Sequence, residues 1–301
     1  MKTNYLILVI ALLVVLGAGA YFLYPSFFGI TPVAEQQTTT IPTGQTATTT
    51  EQASDGTRVL GTSVGGRAIT SYSFGTGANE VLVVGGMHGG YSWNTTLLAY
   101  ELIDYLKANP TMVPANVTLT VVPTLNPDGL YKIVGTDGRF VVGDITQTLA
   151  QTVPGRFNAN NVDLNRNFDC DWKSTGTWQN TTVSGGAAAF SEPESLAIKT
   201  YVEQKKPKAA VVFFSAAGGV YSASCGGSVS TETTTLTNAY AKAAGYPAHT
   251  TFDAYATTGD MTNWFARQNI AAISVLLTDH TNTEWDRNWK GIEAVLQVYA
   301  Q

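Results

Sequence analysis

The sequence predicts an α/β/α layered domain, and three observations carry that prediction. Short apolar runs of strand length alternate along the chain with segments of helical periodicity. Roughly 240 residues remain once an unusual N-terminus is set aside, enough for one large domain with a proper core. No internal repeat breaks the pattern, so a solenoid or propeller is not indicated.

In chain order, the first segment comprises residues 1–30. From Tyr5 to Tyr24 there is no charge, and the apolar character continues through Phe27 and Phe28. Twenty residues at about 1.5 Å each span roughly 30 Å, the thickness of a bilayer core. This reads as an uncleaved membrane anchor. A cleaved signal peptide is the alternative, because Ala18-Gly19-Ala20 offers a small-residue processing site. Either reading exports the rest of the chain: membrane-bound by a single pass in the first case, secreted in the second. Residues 31–56 are rich in Thr, Gln and Pro with little to bury, which predicts a flexible stalk.

The domain proper spans 57–301. Val81–Val84 and Val117–Val122 read as strands, and Thr95–Ala108 as the helix between them, with Leu98, Leu102 and Leu106 on one face. Ser191 to Glu194 has the form of a capping box with Pro193 in the first turn, opening a helix toward Lys205. Ala209–Phe214 and Ile273–Leu277 read as buried strands, and Asn288–Tyr299 as a last amphipathic helix. In layered α/β domains ligands bind at the C-terminal ends of strands, so chemistry is expected after Val84, Phe214 and Leu277.

Composition excludes several classes. The net charge of -5 argues against a nucleic-acid binder, and no Gly-rich phosphate loop precedes a helix to hold a nucleotide. Two cysteines cannot build a four-cysteine zinc site, and three histidines leave little for His-rich metal chemistry. No Gly-x-Ser-x-Gly accompanies those histidines, which disfavours a serine hydrolase.

Four strings stand at the expected strand ends and loops: Val84-Gly-Gly-Met-His88-Gly-Gly90, Asn126-Pro-Asp-Gly129, Arg156 through Val162-Asp163-Leu-Asn165-Arg166-Asn-Phe-Asp169, and Tyr255 through Gly259-Asp260 to Trp264. In this order they resemble the zinc carboxypeptidases of the carboxypeptidase A type. The resemblance implies a mixed central sheet in a three-layer α/β/α sandwich, the zinc exopeptidase fold. It also implies zinc held by two His and a Glu, with a separate Glu as general base. His88 matches the first ligand. Tyr91 or Ser92 occupies the carboxylate position, Ser215 the second His position, and Leu276 the general-base position. Neither a Ser hydroxyl nor Leu serves these roles at neutral pH, so tight zinc binding is not expected. His280 with Asp279 would have to fold back beside His88 to rebuild a site; otherwise His249 and His280 are loop residues.

The resemblance further implies that Arg166 with Asn165 grips a peptide's terminal carboxylate. Arg156 would polarise the scissile carbonyl, and Tyr255 would close over the terminus. A structural Asp–Arg pair, with Asp163 or Asp169, is the competing reading for both arginines. Asp260 and Thr262 would line the pocket for the terminal side chain, where an acid favours an amine-bearing residue. Asp260 reads equally as an acid at a helix start. Cys170 and Cys225 are brought to one edge of the site in this fold, and in an exported protein are expected to form a disulfide. The leading expectation is therefore a catalytically degenerate domain binding C-termini of peptides or cell-envelope peptides. An active carboxypeptidase with displaced zinc ligands and a purely structural surface domain are the alternatives.

Overall fold

A computed structural model describes residues 56–301. The expected anchor over 1–30 and nearly all of the expected stalk over 31–56 lie outside the described residues. Among those described, no helix is long and apolar enough to cross a membrane.

The strands are β1 (Thr57–Thr62), β2 (Ala68–Phe74), β3 (Asn79–Val84), β4 (Val117–Val122), β5 (Thr175–Trp178), β6 (Thr181–Ser184), β7 (Ala209–Ser215), β8 (Gly219–Ser222), β9 (Ala248–His249) and β10 (Ala271–Leu277). The helices are α1 (Trp93–Ala108), α2 (Pro127–Val134), the single turn α3 (Leu149–Thr152), α4 (Pro193–Lys205), α5 (Thr231–Ala244), α6 (Met261–Arg267) and α7 (Trp285–Tyr299). Eight strands form one mixed sheet in the order β1-β2-β4-β3-β7-β10-β8-β9, and β5 with β6 forms a separate hairpin. The centre of the sheet, β4-β3-β7-β10, is parallel, which brings the C-terminal ends of these strands to one edge.

Alternation along the strands divides the core in two. Val81, Val83, Val211, Phe213, Ile273, Val275 and Leu277 face one cluster with α1, α5 and α7. Leu82, Val84, Val212, Phe214, Ala272 and Leu276 face the other with α4 and α6. Both faces are covered, as a sheet with a parallel centre requires. The mixed three-layer sandwich expected from the sequence is thus the fold observed.

Local chemistry explains where the elements begin. Leu98, Leu102 and Leu106 are buried as their spacing predicts, though α1 starts two residues earlier than expected, at Trp93. The Asn126 side chain accepts the Gly129 N–H, Pro127 occupies the first turn of α2, and Gly135 ends it in the left-handed region at φ 82°. The capping box expected at Ser191–Glu194 does not form. Glu192 is the N-cap residue of α4 and provides no side-chain cap. Ser191 instead donates to Glu192 Oε1 at 2.8 Å, while the Glu194 carboxylate accepts the Val64 N–H at 3.1 Å. A neighbouring carboxylate holds the Ser191 end of the box and a distant backbone amide holds the Glu194 end. Helix α5, hidden in a Thr-rich stretch, is capped by the Ser230 hydroxyl and closed by Gly245.

Candidate functional site

A cavity of about 550 Å³ opens at the C-terminal edge of the central strands. His88, on the turn after β3, lines it. The imidazole is buried and neither ring nitrogen has a hydrogen-bond partner. Nε2 lies 3.5 Å from Asp163 Oδ1, and the ring packs 5.4 Å from that of Phe214. Burial first, and then the Arg156 guanidinium, lower its pKa to about 4, against the opposing pull of Asp163. His88 is therefore a neutral imidazole at neutral pH.

The strand alternation bears on the residue matched to the second zinc His. Ser215, matched to the second zinc His, lines the cavity, but its hydroxyl donates to Asn94 Oδ1 of α1 at 2.8 Å. Phe214, one residue earlier, is the β7 side chain that faces His88. A slip of one residue in a strand reverses the face. Likewise Tyr91, rather than Ser92, lines the cavity; the Ser92 hydroxyl is buried without a hydrogen-bond partner. Leu276 lines the cavity from β10. At the positions where the resemblance calls for a Glu, a His and a Glu, the cavity is thus lined by a phenol, a phenyl ring and an isobutyl group, and the one carboxylate beside His88, that of Asp163, is already paired with Arg156.

This donor set does not fit a zinc ion, which takes at least three N, S or carboxylate ligands from protein. The one group of three metal-binding residue types among the described residues is Cys170, Asp171 and Cys225, away from His88 in sequence. Its two sulfurs are bonded to each other, with Cα atoms 5.9 Å apart, so neither is a thiolate.

Both arginines expected at the site line the cavity, in different circumstances. Arg156 donates through Nε and Nη2 to Asp163 Oδ2 at 2.9 and 2.8 Å, and its guanidinium lies 4.4 Å over the Trp178 ring. This is the Asp–Arg pair that the sequence left open. Burial alone would raise the Asp163 pKa, but Arg156 and then His88 hold it well below the usual carboxylate range. Arg166 makes no ion pair within 4.0 Å among the described residues, although its charge helps to hold the Asp163 carboxyl down. Its Nη1 donates to the Asn165 carbonyl at 2.7 Å and Nη2 to the Thr177 carbonyl at 2.6 Å, while Nε is buried and unpartnered. Asp169, the other candidate partner, pairs with Arg267 at 2.9 Å.

Asn165 holds the start of α6: its Nδ2 donates to Asp260 Oδ2 at 2.7 Å, and its Oδ1 accepts the Met261 N–H at 3.0 Å. Asp260 caps α6 through the Asn263 N–H and lines the cavity, as does Thr262. Half-buried Tyr255 packs on Phe252 at 4.9 Å, with its ring 5.8 Å from the Arg166 guanidinium. The tight turn before α6 depends on Gly259, at φ 65°, where a Cβ would run into the Arg166 carbonyl.

Trp178 had no signal in the sequence, whereas His280 does fold back into the cavity, as a rebuilt site would have required. Trp178 comes from the β5–β6 hairpin, and His280 comes from the loop after β10. The His280 Nδ1 lies 3.2 Å from the Tyr91 carbonyl, and its ring packs 4.6 Å from that of Tyr91. His249 stacks on Tyr221 at 4.5 Å.

A mixed sheet with a parallel centre and a pocket at its C-terminal edge defines a layered α/β protein. The sequence profile of the zinc carboxypeptidases matches residues 46–293, and the chain belongs to that family. Among solved structures, murein-tripeptide amidase MpaA from Escherichia coli O157 superposes with a TM-score of 0.57 at 19% identity, covering 82% of this chain and 92% of that one. Carboxypeptidase A from Helicoverpa armigera gives 0.63 at 20% identity over 81% and 68% of the two chains. Bovine thrombin-activatable fibrinolysis inhibitor gives 0.60 at 16% over 80% and 87%. At these identities the likeness is one of fold.

Proposed function

We propose that this domain is a catalytically degenerate member of its family, exported and tethered to a membrane, which binds peptide C-terminal carboxylates without cleaving them. The observation that carries the reading is Arg166: a buried guanidinium with no ion pair to an acid among the described residues, lining an open cavity. A buried charge without a counter-charge is costly, and a ligand carboxylate supplies the missing one through a bidentate contact. Tyr91, Phe214 and Leu276 supply no metal ligand or base, which supports binding over hydrolysis. Tethering rests on the uncharged stretch from Tyr5 to Tyr24. The name of the murein-tripeptide amidase neighbour favours cell-envelope peptides as the source of such termini.

A second reading, an active carboxypeptidase with a non-standard zinc site, draws on one observation: His280 shares the cavity with His88. One set of measurements on the full chain in detergent separates the two. A tripeptide with a free carboxylate is expected to bind at least about tenfold tighter than its C-terminal amide, and Arg166→Ala to abolish that difference. Purified protein titrated with zinc is expected to hold none tightly. Near-stoichiometric zinc with chelator-sensitive release of a terminal residue would establish the second reading instead.

A further inference from the structure

His280 enters the cavity on the loop after β10, and Asn94 of α1 fixes that loop. The buried Asn94 Nδ2 donates to the Asp279 and Asn282 carbonyls at 2.9 Å each. Asp279 Oδ1 accepts the Thr281 and Asn282 N–H groups at 2.7 and 2.8 Å. His280 Nδ1 lies 3.2 Å from the Tyr91 carbonyl oxygen. A carbonyl can only accept, so Nδ1 carries the imidazole proton and Nε2 holds a lone pair. Burial first, with the Arg156 charge adding to it, lowers the His280 pKa against the Tyr91 carbonyl and Asp279, so the ring is neutral at neutral pH. The Tyr91 ring lies 4.6 Å from this imidazole and 5.9 Å from the Arg156 guanidinium. Arg156 donates through Nε and Nη2 to Asp163, which leaves Nη1. Among the described residues neither His280 Nε2 nor Arg156 Nη1 has a hydrogen-bond partner, and neither is sealed from solvent. The cavity wall thus offers an open acceptor and an open donor, both against the Tyr91 ring.

We infer that His280 binds the main chain of the peptide: its Nε2 accepts the N–H of the residue before the carboxyl-terminal one. In an extended chain the N–H and C=O of one residue point to the same side, as in the hydrogen-bonded pairs of an antiparallel ladder. His280 takes the N–H of that residue and Arg156 Nη1 donates to its carbonyl, so the wall pairs with it as a neighbouring strand would. With Arg166 on the carboxylate, these contacts fix the register and direction of the bound terminus. The ligand is then an acylated dipeptide or longer. A free dipeptide carries an ammonium at this place, which the Arg156 and Arg166 charges repel. A peptide lacking the N–H leaves a half-buried acceptor without its water or a replacement. The inference rests on the carboxylate reading of Arg166, and the two fail separately.

The test is calorimetric binding of acetyl-Ala-Ala, its C-terminal amide and O-acetyl-lactyl-Ala to the full chain in detergent. In the lactyl analogue an ester oxygen replaces only the N–H in question. Acetyl-Ala-Ala is expected to bind at least about fivefold tighter than the lactyl analogue. His280→Phe keeps a ring against Tyr91, and is expected to bring that ratio to about one while leaving the preference for carboxylate over amide. A second readout uses unsubstituted protein with nitrogen-labelled histidine, so the inference stays testable if the variant unfolds. The His280 Nε2 resonance is expected to move upfield with acetyl-Ala-Ala and to stay in place with the lactyl analogue. Equal binding of these two ligands with the amide excluded, a ratio that survives His280→Phe, or an unmoved resonance would overturn the acceptor role and leave the carboxylate reading standing. Equal binding of acetyl-Ala-Ala and its amide would overturn the carboxylate reading, and absence of binding by all three would overturn both.

Discussion

His88 has its imidazole buried beside a guanidinium, with both nitrogens unpartnered, and this sets a pH dependence for the whole fold. Its folded pKa of about 4 lies below the ordinary 6.5, so the unfolded chain takes up a proton in that interval and the folded chain does not. Stability from this group is complete above the ordinary value and is lost as pH falls from about 6.5 toward 4, by up to about 3 kcal/mol. Asp163 acts in the same direction at lower pH, its contribution fading as its ordinary range is crossed downward. Urea unfolding at pH 7 and pH 5 is expected to show the loss, and His88→Asn to flatten it. A slope unchanged by the substitution would place the titration elsewhere.

At the scale of single elements, the two-residue period of β7 decides which side chain faces His88. Rebuilding the donors with Tyr91→Glu and Phe214→His is expected to raise zinc affinity at least about 100-fold, as read by competition with a chromophoric chelator. Tyr91→Glu with Ser215→His should raise it far less, because that imidazole would point toward α1. Equal gains from the two pairs would refute the face assignment. The turn into α6 makes a second case. Gly259 donates to the Cys170 carbonyl at 2.8 Å and accepts the Phe168 N–H at 3.0 Å, in a conformation that L side chains rarely adopt. Gly259→Ala is expected to cost about 2 kcal/mol or more in chemical unfolding, and to weaken carboxylate binding by displacing Arg166.

Across the whole molecule, the Cys170–Cys225 bridge ties the Arg166 segment to the loop after β8, at a sequence separation of 55. Ser224, beside it, lines the cavity and donates its N–H to Asn263 of α6 at 3.2 Å. Closing a loop of that length stabilises the folded state by about 4 kcal/mol through the entropy of the unfolded chain. Thermal unfolding with and without reductant is expected to show a clear drop in Tm, together with weaker peptide binding as the Ser224 wall loosens. An unchanged Tm would mean that the loops are held by packing alone.

Much of this protein was legible in the sequence because local rules govern it. The strands β3, β4, β7 and β10 announce themselves as apolar runs, since both faces of the central sheet are buried. Arg156, Arg166 and Asp260 are legible in their motif strings, and the zinc family in the order of those strings. Other features depended on partners distant in sequence. The Ser191–Glu194 box was undone by Val64, which competes for Glu194. Helix α5 was masked by threonines whose hydroxyls bond back to its own carbonyls at 2.8 to 2.9 Å. The pairing of Arg156 with Asp163, the isolation of Arg166, the facing of Phe214 to His88 and the arrival of Trp178 and His280 in the cavity were decided by tertiary structure alone. Sequence alone determined which chemical groups the site contains. The fold decided which of them meet, because charge compensation and strand face are set by distances that no local pattern encodes.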